Sequence, residues 1–250
     1  MRDRLLTTYI VNQAVHWFIP GMFTPVMVLF LLDKGLGLIE VGTILALFSG
    51  TVILLELPTG GLADAVGRKK VYLASLCVSM TSLLVFLVGQ NVVFLAIGFI
   101  IFGVARALSS GSIDAWFVDE FNREHPGGNL QKALGKANIF IPIGLALGAL
   151  VGGIVPTIFG DRAAAFTGMG RYSANLLVML FMTVVQFILT YVMVHEHAGT
   201  EKRKGLAKGF REVPKVLHDA VEFGVRDRHT RLLLTATLAF GFALFSLELL

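Results

Sequence analysis

Six long, largely apolar blocks separated by short polar loops constrain this chain more than any other feature. They run from Leu5 to about Leu32, Val41 to about Thr59, Val71 to Val88, Val92 to Val118, Ala137 to Phe159 and Ser173 to Val194. A helix of about 20 residues crosses the ~30 Å hydrocarbon core of a bilayer. In lipid every backbone polar group must be satisfied within the protein, and a helix does this by itself. The predicted fold class is all-α, a polytopic membrane protein. A seventh block begins near Leu232 and reaches Leu250, so the chain is expected to end inside a seventh span. Composition agrees. Only 15% of residues are charged, against about a quarter in an average soluble domain, and the mean hydropathy is +0.76.

Lys and Arg segregate between alternate loops, and their excess marks the cytoplasmic side of a membrane. With six spans, one side carries 17 of the 21 and the other carries 3, with Arg106 alone inside a span. This predicts a cytoplasmic N-terminus, with the cell membrane as the expected location. It also assigns the net charge of +4 to topology rather than to nucleic acid. The expected domains are a six-helix bundle over 1–194, a cytoplasmic central loop over 195–231 and a truncated seventh helix over 232–250. The central loop has apolar residues at helical spacing (Phe210, Val213, Val216, Leu217, Ala220, Val221). That suits either a helix on the membrane surface or a solvated linker. Cys77 is the single cysteine, so no internal disulfide can form.

The second basic loop reads Gly60-Gly61-Leu62-Ala63-Asp64-Ala65-Val66-Gly67-Arg68-Lys69-Lys70. It offers turn glycines, one carboxylate and a basic cluster, the parts of a charge lock. It resembles motif A of the major facilitator superfamily, G-x-x-x-D-(R/K)-x-G-R-(R/K), with Gly60, Asp64, Gly67, Arg68 and Lys69 matching and Ala65 departing. The resemblance covers the whole chain and implies the six-helix N-terminal bundle of a twelve-span transporter. It further implies that Asp64 engages the absent C-terminal half in a latch, and that Arg68 pairs with a carboxylate at the end of span four. Asp119 is the candidate.

Arg106 lies within span four, where a lone arginine costs about 3 kcal/mol and must find a partner or water. Arg106, Ser110 and Asp114 are spaced i, i+4, i+8 and are expected on one helical face. The stretch resembles motif B of the family, R-x-x-x-G, with the glycine displaced to Gly111. The resemblance implies proton coupling through Arg106 and Asp114; the alternative is a structural ion pair. Span five carries Gly144, Gly148, Gly152 and Gly153, which resemble the antiporter motif C, G-x-x-x-G-P-x-x-G-G, with Ala149 in place of the proline. Small residues at this spacing also serve plain helix packing.

Asn12 and His16 in span one can share a face, and with Asn138 they are the candidates for a substrate cavity; an interhelical hydrogen bond is the competing reading. Glu56 is expected to support the latch loop. No Walker A, H-E-x-x-H, G-x-S-x-G or cysteine-pair pattern occurs. His195 and His197 read as a charged helix end rather than a metal site, so neither a cofactor nor a metal is expected. The expected function is therefore transport rather than enzymatic catalysis, a proton-coupled antiporter that effluxes small amphiphilic molecules. The expected partners are that substrate, protons, the lipid bilayer and the missing C-terminal half. Nutrient uptake, facilitated diffusion and a non-transporting receptor or inactive fragment are the competing readings.

Overall fold

The computed structural model describes residues 4–196 and, beyond them, 226–227, 230–232 and 235–236. The chain divides into two compact units, Met1–Lys204 and Gly205–Leu250. In the second, the Asp227 carboxylate accepts from the amide and hydroxyl of Thr230 at 2.8 and 2.7 Å, in the manner of a helix cap. Most of the expected seventh span and of the expected central loop, with His197, lie outside the described residues.

The first unit is built from helices α1 (Arg4–Phe23), α2 (Met27–Asp33), α3 (Leu38–Val66), α4 (Arg68–Val88), α5 (Val92–Ser109), α6 (Ser112–Glu124), α7 (Leu130–Asn138), α8 (Phe140–Thr167) and α9 (Ser173–Met193). No strand occurs among the described residues. Among the described residues six segments are long and apolar enough to span a membrane: Arg4–Asp33, Leu38–Glu56, Arg68–Val88, Val92–Glu124, Leu130–Thr167 and Ser173–Met193. The block count expected from the sequence is met, but the blocks are not six simple rods. Thr24-Pro25-Val26 interrupts the first span between α1 and α2, because proline removes a donor and restricts the residue before it. The fourth is divided at Ser110-Gly111, where Gly111 is left-handed at φ 70°. The fifth begins earlier than expected, with α7, whose first turn is capped by the Asn129 side chain.

The motif A segment is mostly helix rather than loop. Gly60 and Gly61 lie inside α3, and a hypothetical Cβ at Gly60 would meet nothing. Gly67 alone makes the turn into α4, with φ 119°, a conformation that favours glycine.

Two large apolar clusters and a small one of Val155, Ala163 and Ala174 fill the unit. One large cluster gathers Phe23, Phe30, Phe86, Phe99, Leu176 and Met179 toward the end where α4 passes into α5. The other gathers Tyr9, Tyr72, Ile113, Trp116, Phe117 and Phe121 toward the end that holds the α3–α4 turn, here called the basic end. Outside, Ile53, Leu54, Leu150, Phe166 and Phe181 are exposed, as suits side chains that face lipid rather than water.

Helix α1 is pressed against α8 with almost no side chain between them. A Cβ on Gly144, Gly148 or Gly152 would collide with the carbonyl oxygen of Ala14, Phe18 or Met22 respectively, and one on Gly21 would sit 2.5 Å from the Leu145 carbonyl oxygen. Gly153 faces open space. Three of the four motif C-like glycines therefore have a packing reason on this structure, and the fourth does not.

Candidate functional site

The opposite side of α1 is polar and meets α4, α6 and α9. Polar residues inside spans are costly unless they bond to one another, and here they do. Asn12 is fully buried; its Oδ1 accepts from Gln186 Nε2 (3.1 Å) and Thr190 Oγ1 (2.8 Å) of α9. Gln186 Nε2 also lies 3.0 Å from the Tyr72 hydroxyl, which lies 2.9 Å from His16 Nδ1. Helical spacing alone puts Asn12 and His16 on one cavity face. The structure instead turns Asn12 into the packing of α1 on α9, while His16 bonds to α4. Asn138, the third cavity candidate, is exposed at the end of α7.

A second group centres on Asp114, in the first turn of α6. The Tyr9 hydroxyl donates to Asp114 Oδ1 at 2.7 Å, and Gln13 Nε2 donates to the same oxygen. Gln13 also donates to the Tyr9 hydroxyl at 3.0 Å. The Tyr9 ring stacks on Phe117, one turn further along α6, at 4.1 Å between centroids. Tyr9 is buried, whereas Asp114 is exposed. A carboxylate held through one oxygen and open to the surroundings can exchange a proton while its position stays fixed.

Arg106 does not share a continuous helical face with Asp114, because α5 ends before α6 begins. Its guanidinium lies 5.0 Å above the Trp17 ring, a cation–π contact worth about 0.5–2 kcal/mol. Among the described residues it makes no ion pair. The break itself is held by α3. Ser110 Oγ donates to Glu56 Oε1 at 2.6 Å, and Thr59 Oγ1 donates to the Ala107 carbonyl at 2.8 Å. Glu56 thus braces span four rather than the motif A turn.

At the basic end, Arg68 Nη2 lies 3.1 Å from Asp119 Oδ2 and 3.2 Å from Asp64 Oδ1. The expected partner of Arg68 is in place. The Arg68 amide donates to Glu196 at 2.8 Å, Lys69 Nζ donates to the Tyr191 carbonyl at 2.8 Å, and Trp116 Nε1 donates to the His195 carbonyl at 3.0 Å. The α3–α4 turn, α6 and the end of α9 are therefore tied together. Asp64 stays largely exposed, at 69% of its side chain, so it remains accessible to a further partner.

Sequence reasoning singles out neither Tyr9 nor Gln13 for a role, and it misses Trp17, Tyr72, Gln186 and Thr190. Tyr9 and Gln13, and likewise Gln186 and Thr190, are i, i+4 polar pairs inside apolar spans. That spacing is the available signal.

Comparison with known proteins agrees with this architecture. The major facilitator superfamily matches residues 9–250. The chain belongs to this superfamily of transporters. It is similar to the quinolone resistance protein NorA of Staphylococcus aureus. Identity is 24% over 225 residues for strain MRSA252, covering 90% of this chain and 52% of that protein. The version from strain MSSA476 is 23% identical over the same shares. The chain spans about half the length of the curated relatives it matches. As a member of the superfamily it is an integral membrane protein of a class that carries small molecules.

Proposed function

We propose that residues 1–194 are the N-terminal bundle of a proton-coupled exporter of small amphiphilic or drug-like molecules, with 195–231 a cytoplasmic loop and 232–250 the start of the C-terminal half. The basic end is cytoplasmic in the cell membrane. Asp114 is the proton-exchanging group and Arg106 its electrostatic counterpart in span four. Arg68, Asp119 and Asp64 form the latch, with Gly67 as its turn and Lys69 as its tie to α9. The observation that carries the reading is Asp114, an exposed carboxylate within a span, gripped by Tyr9 and Gln13. Titratable residues at membrane depth usually mark ion or substrate pathways. The likeness to proteins named for quinolone resistance supports the outward direction.

Transport then follows alternating access. Two bundles rock about a site near the membrane midplane, and each proton or substrate molecule shifts the balance only by its differential affinity for the two states. The test is substrate flux in proteoliposomes holding the full-length protein under an imposed proton gradient. Substrate-dependent proton movement that disappears in Asp114→Asn supports the proposal; an unchanged ratio of protons to substrate removes Asp114 from the mechanism. Ala149, which stands where motif C has its proline, favours one second reading, uptake, and the same assay distinguishes it by the direction of flux.

A further inference from the structure

The two carboxylates given separate roles above, Asp114 and Asp119, stand on the same short helix. α6 is 13 residues long, begins at the break in span four and is gripped along its length by other elements. Asp114 is held by Tyr9 and Gln13 of α1, and Phe117 stacks on Tyr9. Trp116 donates to the His195 carbonyl just past α9, and Asp119 pairs with Arg68 of α4. At the break, Ser110 has ψ 125° and Gly111 φ 70°, and no hypothetical Cβ contact surrounds Gly111. The peptide carbonyls on the α5 side of the break accept from α3 and from local serines, so the break is a settled feature. Ser112 Oγ donates to the Leu108 carbonyl, Ser109 Oγ to that of Arg106 and Thr59 Oγ1 to that of Ala107.

We propose that α6 is a lever pivoting at Ser110-Gly111, so that loss of charge on Asp114 loosens the Arg68–Asp119 pair. The inference rests on the proton-coupling reading of Asp114, and it adds the path by which that site reaches the latch. A charged Asp114 accepts from two donors on α1 and holds α6 down. Once neutral it is a weaker acceptor, and the first turn of α6 is released. Since α6 is a continuous helix beyond the pivot, displacement of its first turn carries Asp119 with it. Coupling of this kind is reciprocal, so breaking the latch also weakens the grip of α1 on Asp114. The titratable and charged groups around Asp114 are Tyr9 of α1 and Tyr72 of α4, with Arg106 of α5 and His16 of α1 next to Tyr72. None of these is on α6, so a change at Asp114 alters how that helix is held by its neighbours.

The test uses the full-length protein carrying 5-fluorotryptophan in nanodiscs, with the Trp116 resonance assigned by its loss in Trp116→Phe. Asp114→Asn is expected to move the Trp116 resonance toward the position it takes in Arg68→Ala, and Asp114→Asn adds little once Arg68→Ala is present. Tyr9→Phe, which keeps the stack on Phe117, is expected to move it part of the way and serves if Asp114→Asn fails to fold. A Trp116 resonance that shifts in Arg68→Ala but stays in place in both Asp114→Asn and Tyr9→Phe overturns the lever. If proton coupling is lost in Asp114→Asn while Trp116 stays in place, proton coupling at Asp114 survives without the lever. If Trp116 moves while coupling is unchanged, the lever survives and Asp114 is not the coupling group.

Discussion

Helix α1 presents two different surfaces. Toward α8 it makes a dry crossing in which Gly144, Gly148 and Gly152 lie on its backbone carbonyls. Toward α4, α6 and α9 it offers Tyr9, Asn12, Gln13 and His16, each hydrogen-bonded to another helix or to its own neighbour. The first surface works by dispersion at close range and tolerates no added atom. The second works by bonds that a proton or a competing polar group can exchange. The comparison teaches that one helix can carry a close-packed seam on one side and a hydrogen-bonded seam on the other.

The largest expected effect breaks the close-packed seam. Gly152→Val drives methyl groups into the Met22 carbonyl and is expected to cost about 3 kcal/mol or more, seen as failure to insert or as a sharply lowered melting temperature in detergent. Next comes the buried part of the polar seam. Gln186→Leu removes the donor shared by Asn12 and Tyr72 and is expected to cost about 1–2 kcal/mol, read by the same melting experiment. Arg68→Ala comes third. Its partner Asp119 is 62% exposed, so stability is expected to fall by under about 1 kcal/mol, while on the proposed latch role transport by the full-length protein is expected to slow about five-fold. The smallest effect sharpens the contrast. Gly153→Ala, next to the critical Gly152 but facing open space, is expected to change stability by no more than about 1 kcal/mol, in the stabilising direction. Equal damage from Gly153→Ala and Gly152→Ala would mean that the α1–α8 seam is not what these glycines serve.

The span count and the Arg68–Asp119 pairing are legible in the sequence because length, hydropathy and the motif A spacing act locally. The helix breaks are harder. Gly111 looks like an ordinary small residue within an apolar block, and only its backbone conformation divides α5 from α6. The same break explains why a face drawn through Arg106, Ser110 and Asp114 fails, since i+4 spacing assumes one uninterrupted helix. Asn12 reads as a cavity residue because a polar residue in a span can face water or another helix. Which of these applies depends on Gln186 and Thr190, more than 170 residues away. Gly60 looks like part of a turn because glycine marks both turns and open helix surfaces, and here α3 continues past it.

The most direct test of proton coupling at Asp114 is the pH dependence of transport at fixed substrate, measured in proteoliposomes with wild-type protein and with Asp114→Asn. The wild type is predicted to accelerate with an inward-directed proton gradient, and Asp114→Asn to lose this response while still binding substrate. A gradient response in Asp114→Asn equal to that of the wild type would contradict it.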